Sequence, residues 1–134
     1  MNDNFTVSAW IKPSGLTSWE RVFDFGSDQK NYIFLTVNNG NGYQRLAVKY
    51  NNQTEQNITS SVSLNKNVWS YVTVTMKDNK ATMYINGESV ASGNITVSMS
   101  RLRLRLQIIL LNLNILQILI ILVVLMKWKY TMTH

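Results

Sequence analysis

Residues 69–93, WSYVTVTMKDNKATMYINGESVASG, leave the chain little choice of local structure. Val72, Val74 and Met76 alternate with Thr73, Thr75 and Lys77, the period-two pattern of a half-buried strand. Asp78-Asn79 is a two-residue turn built from side chains that tolerate positive φ. On the return strand Ala81, Met83 and Ile85 share one face, and Thr82 and Tyr84 the other. Asn86-Gly87 then supplies a second turn, because a type I′ hairpin needs φ > 0 at both central positions. Val90 continues a third strand. A meander of this kind cannot bury its apolar face alone, so the rest of the chain must supply the opposing layer.

The remaining segments meet that demand. Residues 4–12 (NFTVSAWIK) alternate Phe5, Val7, Ala9 and Ile11 against Thr6, Ser8 and Trp10, and stop at Pro13 and a Ser14-Gly15 turn. Short strands follow at residues 21–25, 31–37 and 45–50, with a weaker one around 56–62. The run Asn38-Asn39-Gly40-Asn41-Gly42 joins the second and third of these. Even spacing, turn chemistry between strands and no helical period predict an all-β, antiparallel sandwich or barrel.

Composition sets further bounds. A chain of 134 residues is one domain, and without cysteine it has neither disulfides nor thiolate metal sites. Residues 1–10 lack a basic start and an apolar run, so no signal peptide is expected in this chain. Residues 1–100 are nearly balanced in charge, with eight Lys/Arg against all seven Asp/Glu. Residues 101–134 hold Arg101, Arg103, Arg105, Lys127 and Lys129, with no acid, glycine or proline. The arginines interleave with leucine rather than with aromatic and polar groups, so no nucleic-acid partner is expected.

The order FTVSAWIKP, RVFDFGSD, NYIFLTV, NVWSYVTVTM and ATMYINGESVASG resembles the laminin-G-like domains of the concanavalin A-like lectin/glucanase superfamily. It is most similar to those attached to bacterial glycoside hydrolases such as arabinanases, over about residues 4–98. The resemblance implies a jelly-roll β-sandwich that binds carbohydrate or supports a catalytic neighbour. It also implies a polysaccharide or oligosaccharide partner, a parent catalytic domain, and a secreted or cell-surface setting within that parent. Such domains often hold calcium through oxygen ligands, some of them from opening and closing segments. Here the opening strand pair is missing and the closing stretch is replaced, so the sandwich is expected to be incomplete at both ends and its metal is unknown.

The chain therefore divides into a sandwich fragment at 1–100 and an apolar basic tail at 101–134. Three readings of the tail stand open. Residues 108–126 are 19 residues whose only polar members are Asn112, Asn114 and Gln117, near the length of a membrane anchor. RLRLRL alternates like a strand, though no turn residue follows it. The third reading is an out-of-frame translation of the closing strands. Joining the last base of each codon to the first two of the next turns Met126-Lys127 and Trp128-Lys129 into Glu and Met132-Thr133 into Asp, with no freedom. Permitted codons let Val124 through His134 spell I-D-E-V-E-I-Y-N-D, like the closing motif of the family. The coding DNA decides among the three.

Catalysis lacks its usual residues. The single histidine is the terminal His134, which rules against a His-based triad or zinc motif. A glycosidase needs two carboxylates facing one bond, and the E-x-D-x-x-E pattern of the related glucanases is absent. Glu20 and Asp24, four apart, are expected on one face, as a surface acid and a turn-supporting acid. Sugar recognition instead uses exposed aromatic faces with amide hydrogen bonds. Trp19 in a loop, Tyr43 in the glycine-rich turn and Tyr50 at a strand end are the candidate carbohydrate-binding residues, with Asn38, Asn39, Asn41, Asn51 and Asn52 as polar contacts. Trp10 and Trp69 are expected to pack. Asn4, Asn52, Asn57 and Asn94 match N-x-S/T, a motif that an Asn/Thr-rich chain produces freely.

Overall fold

A computed structural model of the chain describes residues 4–97 and 115–119. Among the described residues, nine strands make two antiparallel sheets: β1 (Phe5–Pro13), β2 (Arg21–Asp24), β3 (Tyr32–Thr36), β4 (Arg45–Lys49), β5 (Gln56–Thr59), β6 (Ser70–Lys77), β7 (Lys80–Ile85), β8 (Glu88–Asn94) and β9 (Ile115–Leu119). One sheet runs β8-β7-β6-β1-β9 and the other β2-β3-β4-β5. The β6-β7-β8 meander forms as its turns dictate. Asp78, Asn79, Asn86 and Gly87 all have positive φ (50°, 62°, 51° and 83°), the condition both type I′ turns impose.

The two sheets face each other across one core. Ile11, Val72, Val74 and Met83 on one side meet Ile33, Leu35, Leu46 and Val48 on the other, all buried. The sheets close most tightly where β5 approaches β8. A Cβ built on Gly93 would lie 2.8 Å from Cγ2 of Ile58, so only glycine permits that approach.

Of residues 101–134, the structure describes β9 alone, which pairs along the β1 edge as Trp10↔Leu119, Ile11↔Ile118 and Pro13↔Ile115. The rest of the tail, on which the membrane-anchor and out-of-frame readings turn, lies outside the described residues. Among the described residues no helix is long and apolar enough to cross a membrane.

The expectation for Glu20 and Asp24 is corrected. The β2–β3 register shifts between Arg21 and Phe23, giving Arg21↔Thr36 and Asp24↔Phe34. The extra residue puts Arg21 and Asp24 together on the outer face and leaves Glu20 on the core side, 8% exposed. Glu20 is thus a buried acid, and the two carboxylates do not share a face. Asp24 does support its turn, accepting the Gly26 N–H at 3.0 Å. Trp10 and Trp69 are 39% and 37% exposed; Trp10 packs as expected, but on Tyr71 at 5.0 Å between ring centroids rather than in the core.

Candidate functional site

At one end of the β2-β3-β4-β5 sheet the hydrogen-bond ladder continues past the strand ends. Trp19 N–H donates to Asn38 O (2.6 Å), Val37 N–H to Glu20 O (2.7 Å), Asn39 N–H to Tyr43 O (2.8 Å) and Ser60 N–H to Gln44 O (2.9 Å). This extension carries Trp19 and Tyr43 onto one rim, 48% and 39% exposed. Two of the three candidate aromatics are therefore brought together.

Asn38 fixes this rim. Its Oδ1 accepts the N–H groups of Gly40 and Gly42, both at 2.8 Å, while its Nδ2 donates to Leu16 O at 2.7 Å. One side chain thus ties the glycine loop to the loop that carries Trp19. Gly40 and Gly42 sit at φ 95° and 93°, where a side chain would be strained. A Cβ on Gly40 would also lie 3.8 Å from the Trp19 indole nitrogen. Asn39 braces the same loop, its Oδ1 accepting from Asn41 N–H at 3.0 Å and Tyr43 N–H at 3.4 Å. The asparagines read as polar contacts are thus first of all the scaffold of the loop.

Trp19 itself is held in a strained backbone. It occupies the third position of a turn in which Glu20 N–H donates to Thr17 O at 3.3 Å, with φ 67°. A bulky residue in this region costs roughly 1–3 kcal/mol and persists only where its surroundings enforce it. The enforcing contacts are the Asn38 carbonyl on its N–H and the Arg21 guanidinium, which donates to Trp19 O at 2.6 Å.

Immediately behind the two aromatics stand two buried polar side chains, Glu20 and Gln44. They flank Val37 on the core side, 8% and 0% exposed, and among the described residues neither carboxylate oxygen nor either amide atom finds a hydrogen bond. Burial pushes the Glu20 carboxyl upward from its ordinary value. Neither position was legible as buried from composition.

Tyr50 lies elsewhere. It follows the other end of β4, a five-residue strand about 17 Å long, and packs against the core. Its neighbours Asn51 and Asn52 have φ 48° and 58° and are tied to the 28–31 turn, through Asn51 N–H to Asn31 Oδ1 (2.9 Å) and Asn52 N–H to Lys30 O (3.2 Å). In that turn Asp28 accepts from the Lys30 N–H, which lowers its carboxyl pKa.

The outer face of the same sheet carries a closed polar network. Arg21 lies 3.7 Å over the Phe34 ring and bonds Asp24 at 3.2 Å. Glu55 accepts from Tyr32 Oη at 2.6 Å and pairs with Arg45 at 2.7 Å. Burial and this carboxylate push the Tyr32 phenol up to about 12. Both acids are engaged by structural partners, which leaves them unlike a catalytic pair. Among the described residues no group of three or more His, Cys, Asp or Glu could hold a metal ion.

Comparison with solved structures finds the same fold. Domain 4 of AbnA, a GH43 extracellular arabinanase from Geobacillus stearothermophilus in complex with arabinotriose, aligns with TM-score 0.62 at 21% identity, over 70% of this chain and 45% of that one. Mouse laminin α1 domains LG4-5 align with TM-score 0.60 at 14% identity, over 78% and 27%. A botulinum neurotoxin type C, whose cell entry depends upon interaction with two ganglioside molecules, aligns with TM-score 0.55 at 20% identity, over 78% and 26%. The chain thus spans less than half the length of each of these neighbours. No curated protein sequence matches it significantly. The family model of the concanavalin A-like lectin/glucanases superfamily matches residues 1–108, and the chain belongs to that family.

Proposed function

We propose that this chain is a non-catalytic carbohydrate-binding module of a larger secreted or cell-surface protein, with an oligosaccharide or polysaccharide held at the Trp19–Tyr43 rim. The observation that carries the reading is Trp19, half exposed yet locked in a strained backbone by two hydrogen bonds. Strain of this kind is kept where a side chain must be presented in one orientation. An indole face held that way, with a tyrosine on the same rim and an amide loop between them, suits the apolar face of a sugar ring. Support comes also from the fold neighbours, one an extracellular arabinanase domain bound to arabinotriose and another a toxin that engages gangliosides. The arrangement of the acids supports the non-catalytic part. Tyr50, far along β4, is left out of the site.

Titration calorimetry against a glycan panel, with the wild type and Trp19→Ala, tests the reading. The variant is expected to lose about tenfold or more in affinity, as a central aromatic anchor does. Sugar binding unaffected by Trp19→Ala would overturn the rim as the site. No binding by the wild type would favour a structural or protein-interaction module instead.

A further inference from the structure

The turn that presents Trp19 reaches the core through one side chain. Thr17, Ser18 and Trp19 are exposed, and Glu20, which closes the turn, is buried. Its N–H donates to Thr17 O at 3.3 Å and its carbonyl accepts the Val37 N–H at 2.7 Å. Glu20 inward and Trp19 outward are therefore a single backbone arrangement, and what moves one side chain moves the other.

The carboxyl faces no charge. Its rung runs Glu20, Val37, Gln44, Ser60, and across the core stand apolar residues of β1, β6 and β7, among them Ile11, Val72, Val74 and Met83. Arg21 and Asp24 turn to the outer face and bond each other, and Arg45 does the same with Glu55, which also holds the Tyr32 hydroxyl. Lys49 of β4 and Lys12 of β1 alternate with core residues Val48 and Ile11, and Lys66, Lys77 and Lys80 are exposed. Among the described residues Glu20 is the one buried ionisable side chain, and neither carboxyl oxygen has a hydrogen-bond partner. A neutral carboxyl can occupy such a place, whereas an unpaired carboxylate there is strongly disfavoured. The ionised group is relieved by reaching water, and the turn has no other buried side chain to keep its position. Its release also relaxes the φ of 67° at Trp19.

We propose that protonation of Glu20 gates the rim: the neutral carboxyl stays in the core and holds Trp19 in its presented orientation, and the carboxylate leaves the core and withdraws the indole by turning residues 17–20. The gate rests on the rim reading for its ligand but not for its motion. Burial raises the carboxyl pKa above its ordinary 4.5, so the presenting form prevails in acid and is lost as pH rises through the raised value. Each pH unit above that midpoint lowers the presenting fraction, and with it the apparent affinity, by about tenfold.

The test is an NMR titration of the full chain between about pH 4 and 8. It follows the Trp19 indole N–H, assigned by Trp19→Phe, the Val37 amide and the Glu20 carboxyl carbon, first alone and then with arabinotriose as probe. The gate predicts that all three signals share one midpoint above 4.5, that Glu20→Gln abolishes the indole transition, and that Asp24→Asn keeps it. It also predicts that arabinotriose affinity falls with pH in the wild type and stays at its acid value in Glu20→Gln. The carboxyl carbon is read on the unaltered chain, so the outcome does not depend on how well Glu20→Gln folds. An indole that does not move while the Glu20 carboxyl titrates would overturn the gate, as would an indole transition that persists in Glu20→Gln or disappears in Asp24→Asn. Affinity independent of pH while the indole moves would overturn the control of binding. A shared midpoint without arabinotriose binding, or with binding indifferent to Trp19→Ala, would sink the rim reading and support the proton-controlled turn.

Discussion

Replacing Asn38 by alanine should release both loops of the rim at once. Three hydrogen bonds disappear: the two that Oδ1 accepts from Gly40 and Gly42, and the one that Nδ2 donates to Leu16. A typical intramolecular bond contributes about 0.5–1.5 kcal/mol net. The Gly40 bond is exposed and water replaces much of it, whereas the Gly42 and Leu16 bonds are partly buried. Their sum is about 1.5–3 kcal/mol, which at about 4 °C per kcal/mol for a domain of this size lowers Tm by roughly 6–12 °C.

Asn38→Asp separates the two halves of this effect. The carboxylate keeps both glycine N–H groups as donors, now to an ionised acceptor. It loses the donor to Leu16 and sets an anionic oxygen against that carbonyl. The aspartate variant should therefore melt between wild type and alanine, hold the glycine loop, and free only the loop bearing Trp19. Hydrogen exchange of the Gly40 and Gly42 amides reads the first half. Sugar affinity reads the second, falling in both variants because Trp19 loses its brace. If Asn38→Ala leaves Tm and both glycine amides unchanged, Asn38 is not the brace and the rigidity argued for the rim is wrong.

Two further outcomes test the core beneath the rim. Glu20 has a folded-state pKa raised above its ordinary 4.5, so the folded state holds its proton more tightly than the unfolded state. Its contribution to stability is fully present below about pH 4.5 and is lost as pH rises through the raised value; denaturant melts should show Glu20→Gln gaining on the order of 1 kcal/mol at pH 7 and nothing at pH 4, and an equal change at both pH values would refute this. Gly93→Ala sets a Cβ 2.8 Å from Ile58 Cγ2 and should cost about 1–3 kcal/mol by overpacking. In an Ile58→Ala background that cost should nearly vanish, and a cycle without coupling would mean that β5 and β8 are not as close as they stand here.

Local rules made the sheets legible but not the way they pair. Asp78-Asn79 and Asn86-Gly87 could form little else than tight turns, and alternation identified the core residues of β1, β6 and β7. The same alternation turned Trp10 outward, so that it packs on Tyr71 and not in the core. Glu20 was misread because the register shift beside Arg21 arises from pairing with β3, which no local pattern in residues 17–25 records. Gln44 gave no sign of full burial, since its inward direction depends on the ladder continuing past β4 to Ser60. Asn38 was legible as a turn former, but its reach to Leu16 joins loops 22 residues apart in sequence.

The alternation at the rim is itself an argument about what that end of the sandwich is for. Each exposed aromatic of the rim is followed by an inward residue: Trp19 by Glu20 and Tyr43 by Gln44. Those inward places face the core beside Val37, where a leucine or methionine would pack without cost. They hold instead a carboxyl and a carboxamide without hydrogen-bond partners among the described residues, and a buried polar group left unpaired costs about 1–3 kcal/mol. The outward place at Trp19 departs from the favourable choice as well, since glycine or asparagine would relieve its φ of 67°. Three departures from the stable choice thus fall on two neighbouring strand ends, alongside two exposed aromatics. Packing explains none of them, and stability selects against all three. Sequences depart from local consistency chiefly where a site has other demands to meet. On that ground the rim, rather than the end near Tyr50, is the place we propose for ligand contact.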